Sequence, residues 1–220
     1  MKDFAVGGKK ASGYLASPKA SAAPGVLVLH AWWGLNDFFK RICERLASEG
    51  FVAFAPDLYH GATASTVDEA KRLRSKLKGP VVVKEIAGAL DYLQDHSAVR
   101  GKRIGVVGFS LGGYWALGLA GQKPQDVRAV VVFYGIRKVD KRARAAFLGH
   151  FAEEDKFVRV DKVRQLEKEL RSAGKDFGFH LYPGTKHWFF EEDRAEAYNE
   201  VAARLAWQRT IEFLKAKLSQ

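Results

Sequence analysis

The motif with the clearest chemical meaning in this sequence is built around a serine. The segment Gly108-Phe-Ser110-Leu-Gly112 fits the G-x-S-x-G pattern and directly follows an apolar run that is typical of a buried strand. Glycines at both ends allow a turn so tight that a side chain would collide with the neighbouring backbone. Such a turn holds the serine hydroxyl above the sheet. We therefore predict that Ser110 is a nucleophile, the alternative being a structural turn whose serine only caps a helix.

A serine hydroxyl is a weak nucleophile, so it needs a base that is itself oriented by an acid. In chains with this motif, the acid and then the histidine follow the serine. Of the six histidines, His187 lies in a turn after the last expected strand, and we predict that it is the base. The acidic cluster after the preceding strand supplies the acid, for which we predict Asp155, with Glu154 as the alternative.

Attack on a carbonyl creates an oxyanion, which two backbone N–H groups can stabilise. We predict that one belongs to Leu111, directly after the serine, and the other to Trp32, in the loop after the first buried strand. Nearby aromatic residues are candidates for a substrate pocket, although core packing explains any one of them at least as well. These candidates are Trp33, Tyr59, Tyr134, Trp188 and Phe189. Metal-ligand spacing and phosphate-binding glycine motifs are absent, so we expect neither a metal nor another cofactor.

Short apolar runs alternate with amphipathic segments along most of the chain, which predicts alternating strands and helices. The buried strands are expected at Val26–His30, Phe51–Ala55, Arg103–Val107, Ala129–Tyr134, Ala145–Gly149 and Phe177–Tyr182. An edge hairpin is expected around Gly7 and Gly8. Helices are expected from Asn36 or Asp37 to Gly50, from Thr66 to Leu77, from Val82 to Gln94, from Val160 to Ser172, and from Arg194 to Lys217, besides the one that the serine motif opens.

This alternation, without internal repeats or a long linker, predicts an α/β fold with one mostly parallel sheet and helices on both faces. We expect a single domain over residues 1–220. Ligands of such sheets bind beyond the carboxyl ends of the strands. Ser110, Asp155 and His187 all follow strands, so they are expected to meet at that edge.

The composition excludes several classes of protein. Hydrophobic residues make up 47% and charged residues 28% of the chain, which is typical of a globular rather than a disordered protein. Cys43 is the only cysteine, so a disulfide-stapled domain is excluded. We see neither a signal peptide nor a run of apolar residues long enough to span a membrane. A cytoplasmic protein is the resulting expectation.

The net charge is unusually positive. Lys and Arg number 36 against 25 Asp and Glu, which leaves +11 and invites a nucleic-acid or anionic-membrane partner. The basic residues are spread along the chain, and none of the common nucleic-acid-binding motifs accompanies them. We therefore expect a solvated basic surface, with no nucleic-acid partner and no membrane association. The oligomeric state, monomer or homodimer, stays open.

Several segments taken together resemble the dienelactone hydrolase family of α/β-hydrolases, and the resemblance covers nearly the whole chain. The motif around Ser110 is shared by many hydrolases. Pro56-Asp-Leu-Tyr59 and the Tyr182-Pro-Gly segment that leads to His187 are the features that indicate this family among them. The resemblance implies an α/β-hydrolase fold and hydrolysis of a carboxylic ester or lactone. The segments that carry it are His30–Asn36, Ala55–Tyr59, Gly105–Tyr114, Phe133–Gly135, Asp155–Val158 and Tyr182–His187.

The sequence departs from the best-known members of that family at three points. They use cysteine where this chain has Ser110, and Ala31 replaces a glutamate that helps to control the protonation of that cysteine. These two differences agree, because a serine activated by His187 needs no carboxylate to manage a thiolate. The family also places an arginine shortly after the histidine, where this chain reads Trp188-Phe-Phe-Glu191. Loss of that cation favours a neutral, apolar substrate over a carboxylated dienelactone.

The residues and the resemblance together predict a serine hydrolase that cleaves small-molecule esters or lactones through an acyl-enzyme. In this prediction Ser110 attacks the carbonyl, His187 transfers the proton and Asp155 orients the imidazole. Two alternatives stay open at this point. One is a catalytically idle α/β-hydrolase fold that serves as a binding module. The other is acyl transfer or peptide cleavage by the same three residues.

Overall fold

The computed structural model describes residues 1–19 and 22–218. These residues form one eight-stranded sheet with helices on both faces. The strands are β1 (Lys2–Val6), β2 (Lys9–Ala16), β3 (Gly25–Leu29), β4 (Val52–Pro56), β5 (Ile104–Phe109), β6 (Val127–Phe133), β7 (Ala146–Ala152) and β8 (Phe177–Tyr182). The helices are α1 (Asp37–Ser48), α2 (Val67–Lys76), α3 (Gly79–Asp95), α4 (Leu111–Gln122), α5 (Val160–Ser172) and α6 (Glu200–Leu218).

The strand order across the sheet is β1-β2-β4-β3-β5-β6-β7-β8. The first two strands form an antiparallel hairpin at one edge, and β2 also pairs antiparallel with β4. From β4 to β8 all neighbouring strands run parallel. The predicted mostly parallel sheet with helices on both faces is therefore confirmed, and the carboxyl ends of its six parallel strands lie at one edge.

The central strands are buried on both faces because helices cover both sides of the sheet. Along β3, Val26 and Val28 belong to the apolar layer beneath α1 and α6. Leu27 and Leu29 belong to the opposite layer, beneath α3 and α4. Alternate residues of a strand point to opposite faces, so a strand covered on both sides must be apolar throughout. This explains why the parallel strands are continuous apolar runs in the sequence.

Two expected helix starts are confirmed by their capping contacts. The Asn36 side chain accepts a hydrogen bond from the N–H of Phe39 at the start of α1. Thr66 and Glu69 form a reciprocal capping box at the start of α2. The hairpin around Gly7 and Gly8 is also present, with both glycines at positive φ.

Two other helix starts differ from the expectation. The last helix begins at Glu200, six residues later than expected, because residues 191–199 form hydrogen-bonded turns that end in an Asn199 cap on the N–H of Ala202. The third helix begins at Gly79, three residues earlier than expected, because Pro80 fits the first helical turn. None of the helices described here combines the length and apolarity needed to cross a bilayer.

Candidate active site

The serine motif forms a sharp turn between β5 and α4. Ser110 adopts φ +50° and ψ −108°, a strained conformation for a residue with a side chain, and its N–H donates a hydrogen bond of 2.8 Å to the carbonyl of Phe133 on β6. A Cβ atom at Gly108 would collide with the carbonyl oxygen of Gly112. A Cβ atom at Gly112 would collide with the carbonyl oxygen of Leu29, at the end of β3. Only glycine fits at both positions, so this packing holds the serine at the carboxyl edge of the sheet.

A chain of hydrogen bonds joins Ser110, His187 and Asp155. The Ser110 Oγ atom lies 2.9 Å from Nε2 of His187. On the other side of the imidazole, Nδ1 lies 2.6 Å from Oδ2 of Asp155. The side chains of His187 and Asp155 are only 5% and 1% exposed. The structure therefore brings together three residues that lie far apart in the sequence, in the order that nucleophilic catalysis requires.

Backbone contacts fix the carboxylate of Asp155. Its Oδ1 atom accepts hydrogen bonds from the N–H groups of Phe157 at 2.7 Å and Val158 at 2.8 Å, which leaves Oδ2 directed at the histidine. Val158 is buried in a small apolar cluster with Phe151 and Val163, which anchors the loop. Glu154, the alternative acid, is exposed, and its backbone rather than its side chain contacts the histidine loop.

The contacts of His187 determine which nitrogen carries the proton in the neutral ring. Nδ1 faces a carboxylate, so it carries the hydrogen, and Nε2 is left as an acceptor for the Ser110 hydroxyl. The ring is enclosed by three aromatic side chains, which restrict its movement. These are Tyr134, Phe157 and Trp188, whose centroids lie 4.8, 4.9 and 5.1 Å away.

A cavity of about 520 Å³ opens above the serine and the histidine. Leu111 and Trp32, the predicted oxyanion donors, both line it. Within the described parts of the chain, neither backbone N–H donates to another backbone group. Their role as oxyanion donors stays a prediction.

Of the five aromatic residues predicted to form the pocket, Tyr134 lines this cavity and the other four do not. Trp33 and Phe189 are 1% and 0% exposed and belong to the core. Tyr59 lines a separate cavity beside α3. Trp188 packs behind the cavity wall against Trp32. Residue type alone does not separate a pocket wall from a buried layer, since aromatic side chains serve both.

Several residues that the sequence analysis did not single out also line the cavity. Phe157, which is 54% exposed, lies beside both the histidine and Trp32, and its position two residues after the acid was the available signal. Arg74 lies at the rim, in the last turn of α2, and nothing in the sequence distinguishes it from other basic residues on helix surfaces. The others are Leu77, Gly79, Tyr114, Trp115, Gly135, Ile136 and Val158.

Comparison with known proteins identifies the family of the chain. The model of the dienelactone hydrolase family matches residues 11–218. The chain belongs to the dienelactone hydrolase family. It is accordingly an enzyme, a carboxylic ester or lactone hydrolase of the dienelactone hydrolase type.

Known proteins match this chain over nearly its whole length. Protein usf of Aquifex pyrophilus is 36% identical, covering 100% of this chain and 99% of the relative. A candidate carboxymethylenebutenolidase of Aquifex aeolicus (strain VF5) is 33% identical, covering 99% of this chain and 98% of the relative. The crystal structure of a candidate dienelactone hydrolase from Klebsiella pneumoniae subsp. pneumoniae MGH 78578 superimposes with a TM-score of 0.85 at 25% identity, covering 100% of this chain and 98% of that one.

A buried acid lies behind the active site of this dienelactone hydrolase-family enzyme. Glu191 is 0% exposed, and its Oε1 atom accepts a hydrogen bond of 2.7 Å from the hydroxyl of Tyr134. Burial raises the pKa of Glu191 to about 8, and repulsion by Asp193 adds to that effect, while the bond from Tyr134 opposes it. In the sequence, this segment differs from the family by its missing arginine, and no local pattern reveals the pairing of Glu191 with Tyr134, 57 residues away.

The same region holds no cluster suited to a metal. Across residues 1–19 and 22–218, no group of three or more His, Cys, Asp and Glu side chains could hold a metal ion. Cys43 is buried in the core, and burial raises its pKa, so its thiol takes no part in this site.

Proposed function

We propose that this enzyme is a serine hydrolase that cleaves carboxylic esters or lactones with Ser110, His187 and Asp155. One observation carries the proposal: the continuous hydrogen-bond chain from Ser110 Oγ through the imidazole to the Asp155 carboxylate, with distances of 2.9 and 2.6 Å. The positive φ of Ser110 supports it, because a strained conformation of this kind persists where the surroundings impose it, and such sites cluster at functional centres.

The first half of the reaction forms an acyl-enzyme. Oγ of Ser110 attacks the carbonyl carbon while its proton passes to Nε2 of His187, and the negative charge of Asp155 stabilises the resulting imidazolium. The carbonyl oxygen becomes an oxyanion that accepts hydrogen bonds from the N–H groups of Leu111 and Trp32. Collapse of this intermediate breaks the bond to the alcohol oxygen, which takes the proton from His187. In a lactone, that alcohol remains attached to the acyl group.

The second half releases the acid. A water molecule gives a proton to Nε2 of His187 and attacks the acyl carbon, and the new oxyanion lies in the same site. When the bond to Oγ breaks, the proton returns from His187 to Ser110. The serine and the neutral imidazole are thereby restored.

The lining of the cavity bears on the substrate class. Its aromatic walls, among them Trp32, Tyr134 and Phe157, suit an apolar acyl or alcohol group. Arg74 at the rim supplies a cation that the sequence analysis did not assign to the site. A substrate that carries a carboxylate therefore becomes a second candidate beside a neutral ester. The name of the Aquifex aeolicus relative describes a butenolide, which is a lactone, and this supports the lactone part of the proposal.

The alternatives left open by the sequence are less well supported. A catalytically idle binding module has no need for a serine bonded to a histidine that is in turn bonded to a buried carboxylate. Acyl transfer or peptide cleavage would use the same residues, and a panel of acceptor amines, alcohols and peptides distinguishes them from hydrolysis. We propose a cytoplasmic location, which agrees with a single cysteine that can form no disulfide within the chain.

Kinetics of a serine variant test the proposal. Turnover of short p-nitrophenyl esters by Ser110→Ala is expected to fall on the order of 10⁶-fold in kcat, as in other enzymes whose three residues act as a unit. Ser48→Ala is a matched control, because Ser48 is exposed at the end of α1 and its hydroxyl donates to the Glu44 carbonyl, away from the cavity. A folded Ser110→Ala variant with more than about one-thousandth of the wild-type kcat would refute the proposal.

A further inference from the structure

The peptide bond between Ala31 and Trp32 carries the second proposed oxyanion donor. Its carbonyl, on Ala31, accepts two hydrogen bonds: one of 2.6 Å from Nδ1 of His30 and one of 3.3 Å from the N–H of Gly34. The chain has no cis peptide bond among its described residues. In a trans peptide the C=O and N–H groups point in opposite directions. Any contact that fixes the Ala31 carbonyl therefore also fixes the direction of the Trp32 N–H.

The contacts of His30 define its role in that arrangement. The N–H of Leu58, just after β4, donates a hydrogen bond of 3.3 Å to Nε2 of His30. Nε2 is therefore unprotonated, and Nδ1 carries the hydrogen that is donated to the Ala31 carbonyl. The imidazole is 1% exposed, and this burial lowers its pKa, which keeps the ring neutral and this tautomer in place.

We infer that His30 is a positioning residue that holds the Ala31–Trp32 peptide with its N–H directed into the active-site cavity. His30 is not among the residues that line the cavity, so any effect it has on the reaction is indirect. The inference rests on the proposed function, because it assigns His30 a part in stabilising the oxyanion of that reaction. Its imidazole links the end of β4 to the loop after β3, and so ties the oxyanion donor to the rigid sheet.

Losing this contact has a specific chemical consequence. Without His30, the long 3.3 Å bond from Gly34 is the one hydrogen bond left to the Ala31 carbonyl among residues 1–19 and 22–218. If the Ala31–Trp32 peptide then flipped, the carbonyl oxygen of Ala31 would replace the N–H of Trp32 beside the developing negative charge. Substrate binding would change little, whereas the transition state would lose one of its two hydrogen bonds.

The test compares two substitutions of His30 in the full-length enzyme. His30→Phe fills a similar volume without hydrogen bonds, and its kcat on p-nitrophenyl esters is expected to fall by about 10²-fold to 10³-fold while KM stays within a few-fold. His30→Gln can accept from Leu58 and donate to Ala31, so it is expected to recover at least about one-tenth of the wild-type kcat. Should His30→Phe not fold, His30→Leu takes its place, since it too lacks both hydrogen bonds.

A second readout separates this role from a general loss of structure. Oγ of Ser110 adds to the carbonyl carbon of a trifluoromethyl ketone, and the serine proton passes to His187. The adduct carries an oxyanion in the site. Its Ki is expected to rise in His30→Phe by the same factor by which kcat/KM falls, because both depend on the oxyanion. Inhibition by the carboxylic acid product, which has no tetrahedral oxyanion, is expected to stay within a few-fold.

His150→Phe is the matched control. His150 is also fully buried and makes two side-chain hydrogen bonds, to Tyr182 and Thr210, but it has no contact with the Ala31–Trp32 peptide. This variant is expected to lower the melting temperature without raising the Ki of the ketone.

The outcomes distinguish a failure of the role of His30 from a failure of the proposed function. A folded His30→Phe enzyme with wild-type kcat and ketone Ki, or an equal rise of the ketone Ki in His150→Phe, overturns the role of His30 and leaves the proposed function standing. If the ketone does not react with Ser110 in the wild-type protein, the proposed function fails, and the role of His30 fails with it. Parallel losses of ketone affinity and kcat/KM, confined to the His30 variants, support the inference.

Discussion

Substitution of Glu191 is expected to change how the stability of the enzyme depends on pH. Its carboxyl group is fully buried, and its Oε1 atom accepts a hydrogen bond from Tyr134. Burial raises its pKa from 4.5 to about 8. The folded state therefore binds this proton more tightly than the unfolded state does. Glu191→Gln mimics the protonated acid and has nothing to titrate.

The sign and size of the effect follow from these two pKa values. Between pH 4.5 and about 8 the folded protein holds the proton while the unfolded chain loses it, so the free energy of unfolding falls as pH rises through this window. At about 1.36 kcal/mol per pH unit, the full effect is roughly 4–5 kcal/mol. Between pH 5.5 and 8.5, Glu191 alone is expected to remove about 3 kcal/mol from the stability of the wild-type protein.

Urea unfolding at pH 5.5 and 8.5 measures this effect. The wild-type protein is expected to lose about 3 kcal/mol more between the two pH values than Glu191→Gln does, because all other titrating groups are shared. Glu196→Gln, an exposed glutamate in the same segment, is the control and is expected to track the wild type. If Glu191→Gln shows the wild-type pH dependence, then Glu191 is ionised in the folded protein and burial does not raise its pKa.

Two further predictions concern the active site. Asp155→Asn is expected to lower kcat on p-nitrophenyl esters about 10⁴-fold, because an amide donor facing Nδ1 favours the tautomer of His187 that cannot accept the serine proton. A variant that keeps more than one-tenth of the wild-type kcat would contradict this. Arg74→Gln is expected to lower kcat/KM for esters that carry a carboxylate by roughly 2–5-fold, the effect of an exposed ion pair, and to leave matched neutral esters unchanged. An equal loss on both ester types would show that Arg74 does not recognise charge.

The parts of the site that lie in short local patterns could be predicted from the sequence. The turn at Ser110 is encoded by glycines that must stand two residues on either side of it, and the structure shows the backbone collisions that require them. His187 and Asp155 follow strands of a parallel sheet, whose carboxyl ends meet at one edge. The strands themselves are visible as apolar runs because both faces of the sheet are covered.

Contacts between distant segments could not be predicted in this way. Tyr134 and Glu191 meet only because β6 and the loop after His187 pack together, and each residue has an ordinary sequence environment. Arg74 lines the cavity although it lies far from Ser110, His187 and Asp155 in the sequence. Trp33 and Phe189 pack into the core although their neighbours in sequence, Trp32 and Trp188, lie closer to the site. One local pattern also misled, since the apolar spacing after Arg194 suggested a helix where hydrogen-bonded turns come first.

Ser110 is the proposed nucleophile, and covalent labelling shows whether it reacts as one. The folded wild-type protein is incubated with a fluorophosphonate, and intact-mass and peptide mass spectrometry then locate the adduct. We expect one equivalent of label, attached to Ser110, together with a matching loss of esterase activity and no labelling of Ser110→Ala. Folded wild-type protein that hydrolyses esters while Ser110 stays unlabelled would contradict the claim.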